Sequence, residues 1–164
     1  MSSGNGNVVD MQTFEVKIPN VTISLVVFTE ELNTLEWVLT TQVDELMDLS
    51  NLRAETGGEG WEETSILTLT NLIENVNDIA IDKDILRHKE FTLPVHIFEL
   101  DVLVSAMEIQ LNNLELDSPD VRIISNLLIR MKPYQYMYQT NIKQFHNYPH
   151  NIKMLTLYKL YDLE

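Results

Sequence analysis

The fold predicted by this sequence is mainly α: a four- or five-helix bundle with a short N-terminal β-strand or hairpin. Three observations predict it. Apolar residues recur at helical spacing in several separate stretches, residues 14–28 alternate instead, and Gly-, Pro- or charge-rich breaks divide the stretches. At 164 residues and 45% hydrophobic, the chain has the size of one domain and enough apolar surface for a core. Residues 1–12 read as a flexible tip, and residues 13–164 as a single helical domain.

In "FEVKIPNVTISLVVF" (14–28), Phe14, Val16 and Ile18 alternate with Glu15 and Lys17, and Pro19-Asn20 precede a β-branched run. One broken strand and a hairpin fit equally well. Thr29 then reads as an N-cap, with Glu30 and Glu31 at the positive end of a helix dipole. Leu32, Leu35, Leu39, Val43, Leu46 and Leu49 form one face of a helix over about 30–52. "AETGGEGWEET" (54–64) is a connector: its glycines lack the lysine of a phosphate loop, and its four glutamates repel phosphate. Ile66, Leu69, Ile73, Val76 and Ala80 predict a second helix over about 61–79.

Residues 82–90 read as a charged connection. Pro94 is placed as the first residue of a third helix running to Asn113, apolar on more than one side as a central helix should be. Ser118-Pro119-Asp120 supplies cap, proline and acid for a fourth helix, which Pro133 kinks or ends. Residues 134–148 fit a helix kinked from it, although Tyr134, Tyr136 and Tyr138 also alternate as a strand does. Pro149 separates a last short helix over 150–162. No internal repeat is evident.

Charge is unevenly spread. Residues 1–120 hold 23 Asp/Glu against 5 Lys/Arg, net −18; residues 121–164 hold 2 against 6, net +4, for a total of −14. All six tyrosines fall between Tyr134 and Tyr161, in that basic part. Such a body repels nucleic-acid phosphate and anionic membranes and attracts basic proteins. With no cysteine, thiol chemistry, disulfides and zinc-thiolate sites are excluded. The N-terminus lacks the pattern of a secretory signal, and no apolar run approaches bilayer length, so the expectation is a soluble, cytoplasmic protein.

None of His88, His96, His146 and His150 has a glutamate three residues before it, as di-iron helices require, and His96 with Glu99 alone makes no ligand set. No serine sits in a Gly-x-Ser-x-Gly elbow. The expectation is therefore no enzyme, no cofactor and no metal. Tyrosines interleaved with Arg122, Arg130, Lys132, Lys143, Lys153 and Lys159 admit three readings: single-stranded nucleic acid binding, a cover over the protein's own acidic helices, or a protein interface. The acidic body argues against nucleic acid.

The functional expectation is a non-enzymatic acidic regulatory protein, inhibitor- or immunity-like, engaging a basic partner protein. The alternative is a structural or assembly protein, self-associating into homo-oligomers through its basic Tyr-rich segment. Expected partner-contacting residues are Tyr134, Tyr136, Tyr138, Lys143, Phe145, Tyr148 and Tyr158 at the basic end, and Glu55, Glu59, Glu62 and Glu63 at the acidic connector. High Asn and only three alanines hint at a viral or phage coding sequence.

Overall fold

β1 (Thr22–Phe28) buries Ile23, Leu25 and Val27 and turns Thr22, Ser24, Val26 and Phe28 outward, the period of two that a half-buried strand requires. The computed structural model describes residues 18–57, 62–82 and 87–163. Of the stretch expected as strand, residues 14–17 lie outside the described residues and 18–21 carry no regular structure. The partner of β1 is β2 (Glu90–His96), antiparallel, with Leu25 opposite Leu93. Burying each of these leucines is worth about 1.5–3 kcal/mol.

β2 corrects the expectation that Pro94 starts a helix. Thr29 N donates to Lys89 O at 3.0 Å and Ile97 N to Val21 O at 3.3 Å, bracketing the two strands. Bonded pairs therefore fall on odd-numbered residues, and Ser24 opposite Pro94 is a non-bonded pair. The backbone nitrogen of Pro94 points away from β1, so no ladder bond is lost. Meanwhile Leu93 and Val95 point into the core.

Each strand runs through a 3₁₀ turn into a helix. Thr29–Glu31 leads to α1 (Leu32–Glu55), which is followed by α2 (Glu62–Ile81). Ile97–Glu99 leads to α3 (Leu100–Asn113), then α4 (Pro119–Met137), α5 (Gln139–His146) and α6 (His150–Leu160). Gly57, at φ +78°, takes up the left-handed conformation that ends α1. Ser118 caps α4 as its sequence predicts, its hydroxyl accepting from Asp120 N. Pro133 lies inside α4, which continues to Met137 before the break at Tyr138. Thr29 is not a cap; its hydroxyl donates to His88 O at 2.7 Å. The capping role belongs to Glu31, whose Oε1 accepts from Phe28 N at 2.8 Å.

The chain does contain a repeat. A shift of 68 residues, Leu25 onto Leu93, also pairs Val27 with Val95, Glu31 with Glu99, Leu32 with Leu100, Leu35 with Leu103 and Gln42 with Gln110, all identities. Leu25 and Leu93 face each other in the sheet, and Gln110 Nε2 donates to Gln42 Oε1 at 3.0 Å. Equivalent residues that touch must lie on the axis relating the halves. An approximate two-fold therefore passes through the middle of the sheet and between α1 and α3. The second helix of each unit packs across onto the other unit's strand, α4 on β1 and α2 on β2. α5 and α6 extend the second unit alone: α5 packs on the turn Ile97–Glu99 and α6 on α2. One continuous core runs from Leu25 and Leu93 through Leu35, Leu39, Leu72, Leu103 and Met107 to Ile124, Phe145 and Leu157.

Candidate functional site

The basic end meets the acidic body within the molecule. Arg130 pairs with Glu31, Lys132 with Glu108 at 3.3 Å, His146 with Asp101 at 2.5 Å and His150 with Glu63 at 3.7 Å. Tyr161 donates its phenol to Glu99 Oε2 at 2.7 Å. Several groups that give the C-terminal part its positive character thus already face carboxylates of residues 1–120.

The expected contact residues separate into three groups. Tyr134, Tyr138 and Tyr148 are half-buried against the core. Phe145 and Glu62 are interior and are corrected as surface contacts: Phe145 stacks on Phe98 with ring centroids 4.7 Å apart, and Glu62 is fully buried with Arg53 Nε at 2.7 Å. Neither helical spacing nor charge alone shows which neighbours cover such a side chain. Tyr136, Lys143, Tyr158, Glu55 and Glu63 are exposed, Tyr136 at 81%. Glu59 lies outside the described residues.

Beside the paired charges runs an open groove of about 440 Å³ between α1, α2 and α3. Its floor is apolar, with Leu46, Leu69, Val102 and Ala106, and Leu49 and Ile109 stand 45% and 41% exposed. Glu45 and Asp101 form its acidic rim. α3 is apolar on several sides because one side is core and another is this floor. On α1, Asp44, Asp48 and Glu55 share one stripe with Trp37, and the three acids have no ion-pair partner among the described residues.

Asp101 and His146 stand between this groove and a cleft of about 520 Å³ that holds Lys132, Gln135, Tyr136, Gln139 and Lys143. Asp101 Oδ1 accepts from Gln135 Nε2 at 2.7 Å and Oδ2 from His146 Nε2. The His146 hydrogen bond, outweighing partial burial, holds the Asp101 carboxyl below its usual range. The pair joins α3 to α5, and no residue pattern in the sequence announces it.

No protein-family model, curated protein or solved structure matches this chain. Its chemistry has to be read from its own residues.

A second polar cluster lies just before α3, at the same N-terminal end as Asp101. His96 and Glu99 come together, as their spacing predicts, but they cap the 3₁₀ turn: Glu99 Oε1 accepts from His96 N at 2.9 Å and His96 Nδ1 accepts from Phe98 N at 3.1 Å. With Nδ1 accepting, Nε2 carries the proton and donates to Pro19 O at 2.8 Å. Burial lowers the pKa of His96 and raises that of Glu99, the latter opposed by hydrogen bonds from Tyr161, His96 and Asn71. Among the described residues, no group of three or more His, Cys, Asp or Glu is placed to hold a metal ion, and no helix is long and apolar enough to cross a membrane.

Proposed function

We propose that this is a non-enzymatic binding protein of the cytoplasm whose acidic surface engages a basic partner protein, as an inhibitor or immunity protein does. One observation carries the reading: Arg130 and Lys132 are paired within the molecule, while Glu45 stands without an ion-pair partner among the described residues at the rim of an open apolar groove, and Asp44, Asp48 and Glu55 stay unpaired along another stripe of α1. A basic amphipathic helix suits that combination, its apolar face on Leu49 and Ile109 and its lysines or arginines toward Glu45, with Asp44 and Asp48 adding to the field that draws it in. The test is affinity capture from the native host, followed by association kinetics with the captured protein over a range of salt. Steep slowing as salt rises is expected, since steering is screened. Association indifferent to ionic strength overturns the reading.

A second reading, self-association through the basic end, draws on exposed Tyr136 beside Lys143, which has no ion-pair partner among the described residues. Sedimentation at high concentration decides it: a monomer throughout removes it.

A further inference from the structure

α4 turns an apolar face to solvent. Arg122, Ile129 and Tyr136 follow one another at intervals of seven residues, two helical turns, so they stand in one line along the helix. Pro133 and Met137 flank that line. Ile129 is 69% exposed, Met137 66% and Tyr136 81%. Apolar residues scattered singly over a surface need no explanation, but three large ones grouped on one helix beside cations mark a contact surface. The bases of α4 are Arg122, Arg130 and Lys132, against one acid, Asp120, which accepts from Thr34. Arg130 is committed to Glu31. Arg122 has no ion-pair partner among the described residues, and Lys132 meets Glu108 at 3.3 Å with both side chains about half exposed.

α1 carries the opposite charge on a face of the same kind. Trp37, Asp44, Asp48 and Glu55 form its outer stripe, with Met47 and Leu52 exposed on either side. The single base of α1, Arg53, is held by the buried Glu62, so no cation of the helix answers those three acids. The two faces also match in length. At 1.5 Å per residue, Trp37 to Glu55 spans about 27 Å and Arg122 to Met137 about 22 Å.

We propose that the occupant of the α4 face is a second copy of this chain, docked through the outer stripe of its α1. The inference rests on the second reading above, self-association through the basic end, and adds the surface that receives it. Ile129, Tyr136 and Met137 of one copy lie against Trp37, Met47 and Leu52 of the other, while Arg122 and Lys132 face Asp44, Asp48 and Glu55. Packed helices run about 8–10 Å apart, which brings flanking charges into contact. The net charge of −14 on each copy opposes their approach, but physiological salt screens that repulsion beyond about 8 Å, whereas the two stripes act at contact. Copies that exchange both contacts close into a two-fold dimer, and a one-way contact continues head to tail. The groove beside Leu49 and Ile109 lies on another side of α1 and stays open to a basic partner.

The experiment is sedimentation equilibrium of the full chain from micromolar to millimolar concentration, at physiological salt. Association is expected at the upper end. Asp44→Lys with Asp48→Lys, and separately Arg122→Glu with Lys132→Glu, are each expected to weaken it on the order of tenfold or more. Mixing these two variants restores opposite charge at the contact, and the mixture is expected to associate as the wild type does. Ile129→Ser, which leaves the charges alone, is expected to weaken association on the order of tenfold. Thermal melts matching the wild type establish that each variant is folded. Association unchanged in both charge-reversed variants, or a mixture that stays monomeric, overturns the proposal and leaves self-association by another surface standing. A wild-type monomer at every concentration overturns both.

Discussion

Gln42 and Gln110 hydrogen-bond to each other across the centre of the molecule, one buried carboxamide donating to the other at 3.0 Å. They are the same residue of the two units, so their contact marks the axis as directly as the Leu25–Leu93 pair does. Either amide alone would be a buried polar group without its main partner. Gln42→Leu or Gln110→Leu is therefore expected to cost about 1–3 kcal/mol, while the double leucine variant regains most of that loss. Urea denaturation of the four proteins in the cycle checks it; additive losses would mean the two amides act separately.

Arg130 presents a sharper case. Replacing it with methionine keeps most of its apolar stem but strands the Glu31 carboxylate in the interior. The expected loss is about 3 kcal/mol, at the low end for a buried pair because Arg130 is partly exposed. Adding Glu31→Gln to that variant should recover part of the loss by removing the stranded charge, read as a urea midpoint between wild type and the single variant.

Acid should loosen the corner at His96. Burial lowers its pKa below the ordinary histidine value of 6.5, so its contribution is present above that pH and lost as pH falls through the folded value. Protonation also removes the acceptor for Phe98 N. Glu99, with its pKa raised, has the opposite sign: its favourable contribution is complete at low pH and lost as pH rises through the folded value. His96→Asn keeps a capping oxygen and removes the titration. The dependence of the urea midpoint on pH between about 7 and 5 is expected to flatten in that variant; an unchanged slope would exclude His96 as its origin.

Charge reversal of the α1 stripe separates binding from folding. Asp44→Lys with Asp48→Lys alters exposed side chains without partners in the described molecule, so stability should shift by no more than about 0.5 kcal/mol. Association with a basic partner should slow on the order of tenfold, with a shallower dependence on salt. A drop in thermal stability equal to the loss of binding would point to a folding defect.

Much of the helical layout was readable because an amphipathic stripe needs only local spacing. Leu32, Leu35, Leu39 and Leu46 lie buried along α1, and Ser118-Pro119-Asp120 opens α4. β1 was readable over residues 22–28 from its alternation. β2 was misread because a proline is acceptable in a strand only at one parity of the ladder, and that parity depends on a partner strand some sixty residues away. The repeat is faint in the sequence because identity persists chiefly where the two units meet or bury the same group, while neighbouring pairs such as Trp37 and Ser105 have diverged. The groove and the Asp101–His146 pair are products of helix packing, which spacing along a single helix does not encode.

When two separate copies of a chain form a symmetric dimer, every mutation strikes both copies at once. Joining the copies end to end lifts that constraint. Here an arginine of α4 meets Glu31 on one side, while on the other an asparagine of α2 and a tyrosine beyond α6 together meet Glu99. Such a molecule can specialise one half for recognition without unfastening the other.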